Sequence, residues 1–153
     1  MTEIDRALSE KARQHIGARA QKCYQNAYAA LLEMPELAGG LYVEGCAICD
    51  GNNVIEYGWI ELDGRIVDPT LCGQGNVSYF AGLRFTQRQV RDAIRTIPKP
   101  AFTEELPIFY RFGGGGCDSP EMMRAFAAAW ESIGAHDIAQ RFLDQIDGSE
   151  GDE

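Results

Sequence analysis

LYVEGCAICDGNNVIEYGWIELDGRIVDPTL, residues 41–71, contains three strand-like runs separated by turn signals. Asp50-Gly51-Asn52 divides the first pair of runs and Asp63-Gly64 the second. Asp-Gly between apolar runs is a strong hairpin signal, because the central residues of such turns need positive φ. The stretch predicts an antiparallel meander from Leu41 to about Asp68. Pro69 has no N–H to give a ladder and ends it.

The flanks read as helical. Toward the N-terminus, Ile4, Leu8, Ala12, Ile16 and Ala20 repeat every four residues and predict an amphipathic helix over 3–20. A second helix is predicted from about Cys23 to Glu33, stopping before Pro35. Toward the C-terminus, residues 72–85 carry glycines and scattered aromatics and read as an ordered loop. Thr86-Gln87-Arg88-Gln89 has capping-box spacing and opens a helix to about Arg95. LPIFYRF, residues 106–112, reads as a last strand, followed by a four-glycine loop at 113–116. Ser119-Pro120-Glu121 supplies an N-cap, a first-position proline and a first-turn acid for a helix to about Ile133. Phe126, Trp130 and Ile133 share its apolar face. A last helix is predicted over 135–146, and the acidic residues 147–153 read as a disordered tail. The whole predicts one α+β domain over 1–146.

Composition narrows the classes. A chain of 153 residues with 45% apolar content is about one domain with a core of its own. No apolar run approaches the roughly 20 residues that span a bilayer. The charged N-terminus lacks the apolar segment of a signal peptide, so a cytoplasmic protein without a membrane partner is expected. Five cysteines, an odd number, read as reduced thiols. The net charge of −9 opposes nucleic-acid binding and suits a basic partner surface.

The chemistry-bearing position is Cys23, which opens a helix behind basic Lys22. The positive end of a helix lowers a thiol's pKa. Cys46-x-x-Cys49 invites a zinc or redox reading, but a spacing of three on a strand sends the thiols to opposite faces. Cys72 and Cys117 are single and distant, so no metal is expected and the pair reads as small buried residues. Gly113–Gly116 lacks the Gly-Lys-Ser/Thr ending of a phosphate loop and reads as an ordinary loop.

Lys-Cys-Tyr-Gln-Asn-Ala (22–27), Tyr-Val-Glu-Gly (42–45), Glu-Tyr-Gly-Trp (56–59) and Asp-Gly-Arg-Ile-Val-Asp-Pro-Thr (63–70) together resemble a family of small papain-like cysteine hydrolases of bacteria and phages. The resemblance covers roughly residues 20–85. It implies a papain-like core, with a Cys-bearing helix packed on an antiparallel sheet and additional C-terminal helices. It makes Cys23 the nucleophile or its remnant, Asp68 the orienting acid, and Asn26 and Trp59 the residues beside the substrate. The family's catalytic histidine falls at Tyr57. A phenol with pKa near 10 is a poor base at neutral pH. His15 and His136, the two histidines of the chain, read as surface or helix-end residues.

The resemblance implies a peptidase, amidase or transglutaminase type of domain that acts on, or recognises, a protein or other amide-containing substrate without a cofactor. Tyr57 then marks a pseudoenzyme that keeps the cleft for binding, a slower thiol chemistry driven by the helix dipole, or a phenol that donates to a substrate carbonyl. The competing expectation is a non-catalytic acidic binding or inhibitor protein of phage-like origin, covering a basic surface on a host protein. A small-molecule pocket reusing the cleft is a further one.

Overall fold

The computed structural model describes residues 3–71, 75–96, 105, 107–110 and 119–150. Its centre is the meander: β1 (Leu41–Cys49), β2 (Asn53–Leu62) and β3 (Arg65–Val67) pair antiparallel in succession. Asp63 and Gly64 join β2 to β3 with φ of 51° and 76°, the two positive values a tight hairpin turn demands. Asp50 and Gly51, at 56° and 90°, turn β1 into β2.

A fourth strand corrects the loop expected over 72–85. β4 (Val77–Thr86) pairs antiparallel with the whole of β1, giving the order β3-β2-β1-β4. Its alternation is obscured by a bulge. Glu44 pairs with Leu83 and Gly45 with Ala81, which leaves Gly82 as the extra residue. A side chain there would run into the Met122 sulfur and crowd the Glu44 carbonyl, which favours glycine.

The helices follow their local signals, with adjusted ends. α1 (Arg6–Ile16) begins at Asp5, whose Oδ1 accepts the Leu8 amide at 3.0 Å, and ends at Gly17 with φ of 59°. The predicted span 3–20 is therefore too long. Ile4 instead forms a parallel bridge to Ile66. α2 (Cys23–Glu33) has the predicted bounds. α3 (Gln87–Thr96) carries the reciprocal capping box, Thr86 N to Gln89 Oε1 at 2.8 Å and Gln89 N to Thr86 Oγ1 at 3.2 Å. α4 (Pro120–Ser132) starts at Ser119, and α5 (His136–Glu150) follows. Residues 147–150, assigned to the tail from sequence, thus have helical backbone, and 151–153 lie outside the described residues.

The buried apolar residues form two clusters. Ala27 and Leu31 of α2 pack with Val43, Ala47, Trp59 and Ile60 in one. Met122, Phe126 and Ala129 of α4 pack with Cys46, Ile48 and Ile146 in the other. The architecture is α+β, as the sequence predicts, with helices packed on an antiparallel sheet. No helix among the described residues is long and apolar enough to cross a membrane.

The last strand expected at 106–112 is not found in its described part. Residues 107–110 include a turn docked on the sheet, and Glu44 explains why. Its wholly buried carboxylate accepts the amides of Phe109, at 3.1 and 3.2 Å, and Tyr110, at 2.7 Å. Those N–H groups would otherwise be free for a ladder. The glycines 113–116, Cys72 and Cys117 lie outside the described residues.

Candidate functional site

α2 lies against β2 because Gly58 leaves room for it. A Cβ at Gly58 would stand 2.6 Å from the Tyr24 ring. This approach brings the helix start, where Cys23 stands, onto the strand that carries Tyr57. Burial is the largest influence on the pKa of the Cys23 thiol and raises it; the amide of Gly58, the residue after Tyr57, lowers it, and the carboxylates of Glu105 and Asp68 raise it. Tyr57 in turn feels both Asp68 and Cys23. The fold thus assembles the three residues that the motif order singles out.

Their chemistry differs from that of a nucleophile, base and orienter. Tyr57 Oη donates to Asp68 Oδ1 at 2.8 Å and Oδ2 at 3.0 Å. Tyr79 of β4 donates to Oδ2 at 2.7 Å, and the amides of Thr70 and Leu71 reach Oδ1 at 2.9 and 3.1 Å. Asp68 is wholly buried, and its own amide donates to Ser9 Oγ at 2.9 Å. Burial pushes its carboxyl up, and the two phenols and two amides oppose that. Burial and the adjacent carboxylate both push the Tyr57 phenol up, so it neither ionises nor accepts a proton near neutrality. Its one proton is held by Asp68 rather than offered to a substrate.

Cys23 is 8% exposed. Burial pushes its thiol up to about 12; the Gly58 amide lowers it, Glu105 and Asp68 raise it, and the Tyr24 amide lowers it. Almost none of the thiol is ionised at neutral pH. The helix start does not activate the thiol as its dipole alone would suggest, because burial outweighs it and another group also occupies that end. Glu105 Oε1 accepts the amides of Tyr24 at 2.6 Å and Gln25 at 3.2 Å. A carboxylate therefore takes the positive end of α2 and adds repulsion to any charge on sulfur. Glu105 holds this place at a φ of 55°, and its Oε2 is buried with no hydrogen-bond partner among the described residues.

Asn26 and Trp59 have different surroundings. Asn26 is buried, and its amide nitrogen donates to Arg19 O and Thr70 Oγ1, each at 2.8 Å. Its oxygen accepts the Arg19 amide at 3.2 Å. It therefore pins the connection before α2 to the turn after Asp68. Trp59 is wholly buried, stacked 6.2 Å from Tyr57 and edge-on 5.2 Å from Tyr79, so it supports the phenols from within the core. His15 and His136 are not among the groups acting on Cys23; exposed His136 is bonded to Glu131 Oε1 at 2.6 Å. Cys46 donates to Ala125 O at 3.3 Å in the α4 cluster, whereas Cys49 feels Asp50 and Asp68, in keeping with opposite faces.

Two half-open clefts flank this centre. One, about 730 Å³, lies among Ile48, Val77, Tyr79, Phe80 and Ile133. The other, about 480 Å³, lies between Arg13, the 18–21 connection and the 69–71 turn. Sequence reasoning missed Tyr79, because its stretch read as loop, and Glu105, whose partners lie about 80 positions earlier in the chain. Thr70 was within the quoted motif and could have been singled out.

Compared with known protein-family models, curated proteins and solved structures, the chain matches none.

Proposed function

We propose that this chain is a degenerate cysteine-hydrolase-like domain of the papain-like type that recognises an amide-containing partner without cleaving it. The observation that carries the reading is the bond from Tyr57 to Asp68. Where a general base would have to accept the Cys23 proton, a phenol instead spends its own proton on a buried carboxylate. Glu105 at the start of α2 adds to this, since it removes the electrostatic help a lone thiol would need. What remains of the hydrolase centre is a hydrogen-bonded lock that fixes α2, β2, β4 and the Asp68 turn around the flanking clefts.

The test is p-nitrophenyl acetate hydrolysis by the native chain and by Cys23→Ala, followed by binding of both to one peptide array. The two proteins should release nitrophenolate at the same rate and bind the same peptides. A nitrophenolate burst or turnover that depends on Cys23 would overturn the reading in favour of a working hydrolase.

A further inference from the structure

The cleft beside the Asp68 turn presents hydrogen-bond donors and no carboxylate. Arg13 reaches it from α1, Arg19 from the connection to α2, and Thr70 from the turn after Pro69. Neither guanidinium pairs with a carboxylate among the described residues, although the chain holds 23 acidic residues against 14 basic ones. Both side chains are exposed and can meet an anion from solvent.

The cleft is also built rather than incidental. Asn26, itself buried, spends its whole side-chain amide on the two walls, bonding Arg19 through both N–H and C=O and Thr70 through its hydroxyl oxygen. Because Thr70 Oγ1 accepts from Asn26, the hydroxyl proton remains free to donate. Gln21, on the same wall, is held at φ of 63°, a conformation non-glycine residues adopt rarely. At about 480 Å³ the cleft is of the size that takes a small molecule.

We infer that the cleft between the 18–21 connection and the 69–71 turn binds a small molecule bearing a carboxylate or phosphate. Arg13 and Arg19 supply the charge and the forked donor geometry that such oxyanions match, and Thr70 supplies a neutral donor. Asn26 acts as a positioning residue, setting the distance between the walls. The inference goes beyond the proposed function and stands whether or not Cys23 reacts, since none of the three donors is Cys23, Tyr57 or Asp68.

The test is a ¹H–¹⁵N titration of the full chain at constant ionic strength, with inorganic phosphate in one arm and glutarate in the other. Saturable shifts centred on the amides of 18–21 and 70–71 are expected in at least one arm, and the arm that saturates names the oxyanion. Arg13→Gln and Arg19→Gln remove exposed side chains and leave the fold intact, and each should weaken binding at least tenfold. Shifts that stay linear to tens of millimolar in both arms would overturn the inference. So would saturation with a dissociation constant that neither substitution changes.

Discussion

The hydroxyl of Tyr57 bridges both carboxylate oxygens of Asp68, at 2.8 and 3.0 Å, inside a centre that Tyr79 closes from the neighbouring edge of the sheet. A buried carboxylate held by two phenols and two backbone amides ties β2, β4 and the turn after β3 into one unit. Charge-assisted bonds of this kind are worth about 1.5–3 kcal/mol each in mutational series.

Tyr57→Phe should therefore lower unfolding free energy by about 1.5–3 kcal/mol. Tyr79→Phe should cost a similar or smaller amount, since its ring is only partly buried. Urea denaturation of the two variants and of the double variant measures this. Because both phenols bond one carboxylate, the two losses should be non-additive. Changes under about 0.5 kcal/mol, the scale of an ordinary surface substitution, would show that the lock contributes nothing.

Stability should fall as pH rises from mildly acidic to neutral. Asp68 and Glu44 are held above their usual carboxylate range, chiefly by burial. Between the unfolded and folded values the native state binds more protons than the unfolded chain. Each group's stabilisation is thus complete below its unfolded value of about 4 and is lost as pH climbs through the folded one. The urea midpoint should be higher at pH 5 than at pH 7.5. Asp68→Asn, which keeps an oxygen acceptor but does not titrate, should flatten that slope; an unchanged slope would remove Asp68 from the account.

Cys23 should resist alkylation, and resist it less once Glu105 is removed. In the native chain, iodoacetamide labelling of Cys23 should remain far from half-maximal at pH 9, as a thiol pushed up to about 12 requires. Glu105→Gln removes a negative charge that acts on the sulfur and weakens the cap on the Tyr24 and Gln25 amides. Labelling at fixed pH should then rise severalfold, given that each pKa unit gained is about tenfold in thiolate. Equal rates in the two proteins, read by mass spectrometry, would show that Glu105 does not govern the thiol.

Gly58→Ala should be costly for its size. The added methyl meets the Tyr24 ring and forces α2 away from β2, an overpacking that typically costs about 1–3 kcal/mol. The same shift would carry Cys23 away from the Gly58 amide. Thermal unfolding measures the first effect, and the labelling rate of Cys23 reports the second.

What could be read beforehand was local. The two Asp-Gly turns, the start of α2 at Cys23 and the Thr86–Gln89 box each depend on a few adjacent residues, and each is where the pattern placed it. β4 was hidden because Gly82 breaks the strand's period, and the crowding that favours glycine there comes from Met122, forty residues later. The site divides the same way. Motif order brought out Cys23, Tyr57 and Asp68, which the fold does place together. Their protonation was not legible, because it depends first on burial and then on Tyr79 and Glu105, contacts that no short spacing encodes.

Glu105 and the turn at 107–110 are near neighbours in sequence, and the two are fastened in opposite senses. Glu105 extends a carboxylate outward to the amides of α2, while Phe109 and Tyr110 extend amides outward to the carboxylate of Glu44. The chain thus has one anchorage on the helix that holds the thiol and another in the middle of β1. Slackening the second, by replacing Glu44, would loosen the grip at the first. A residue that never touches sulfur thereby has a mechanical say in whether that sulfur can be reached.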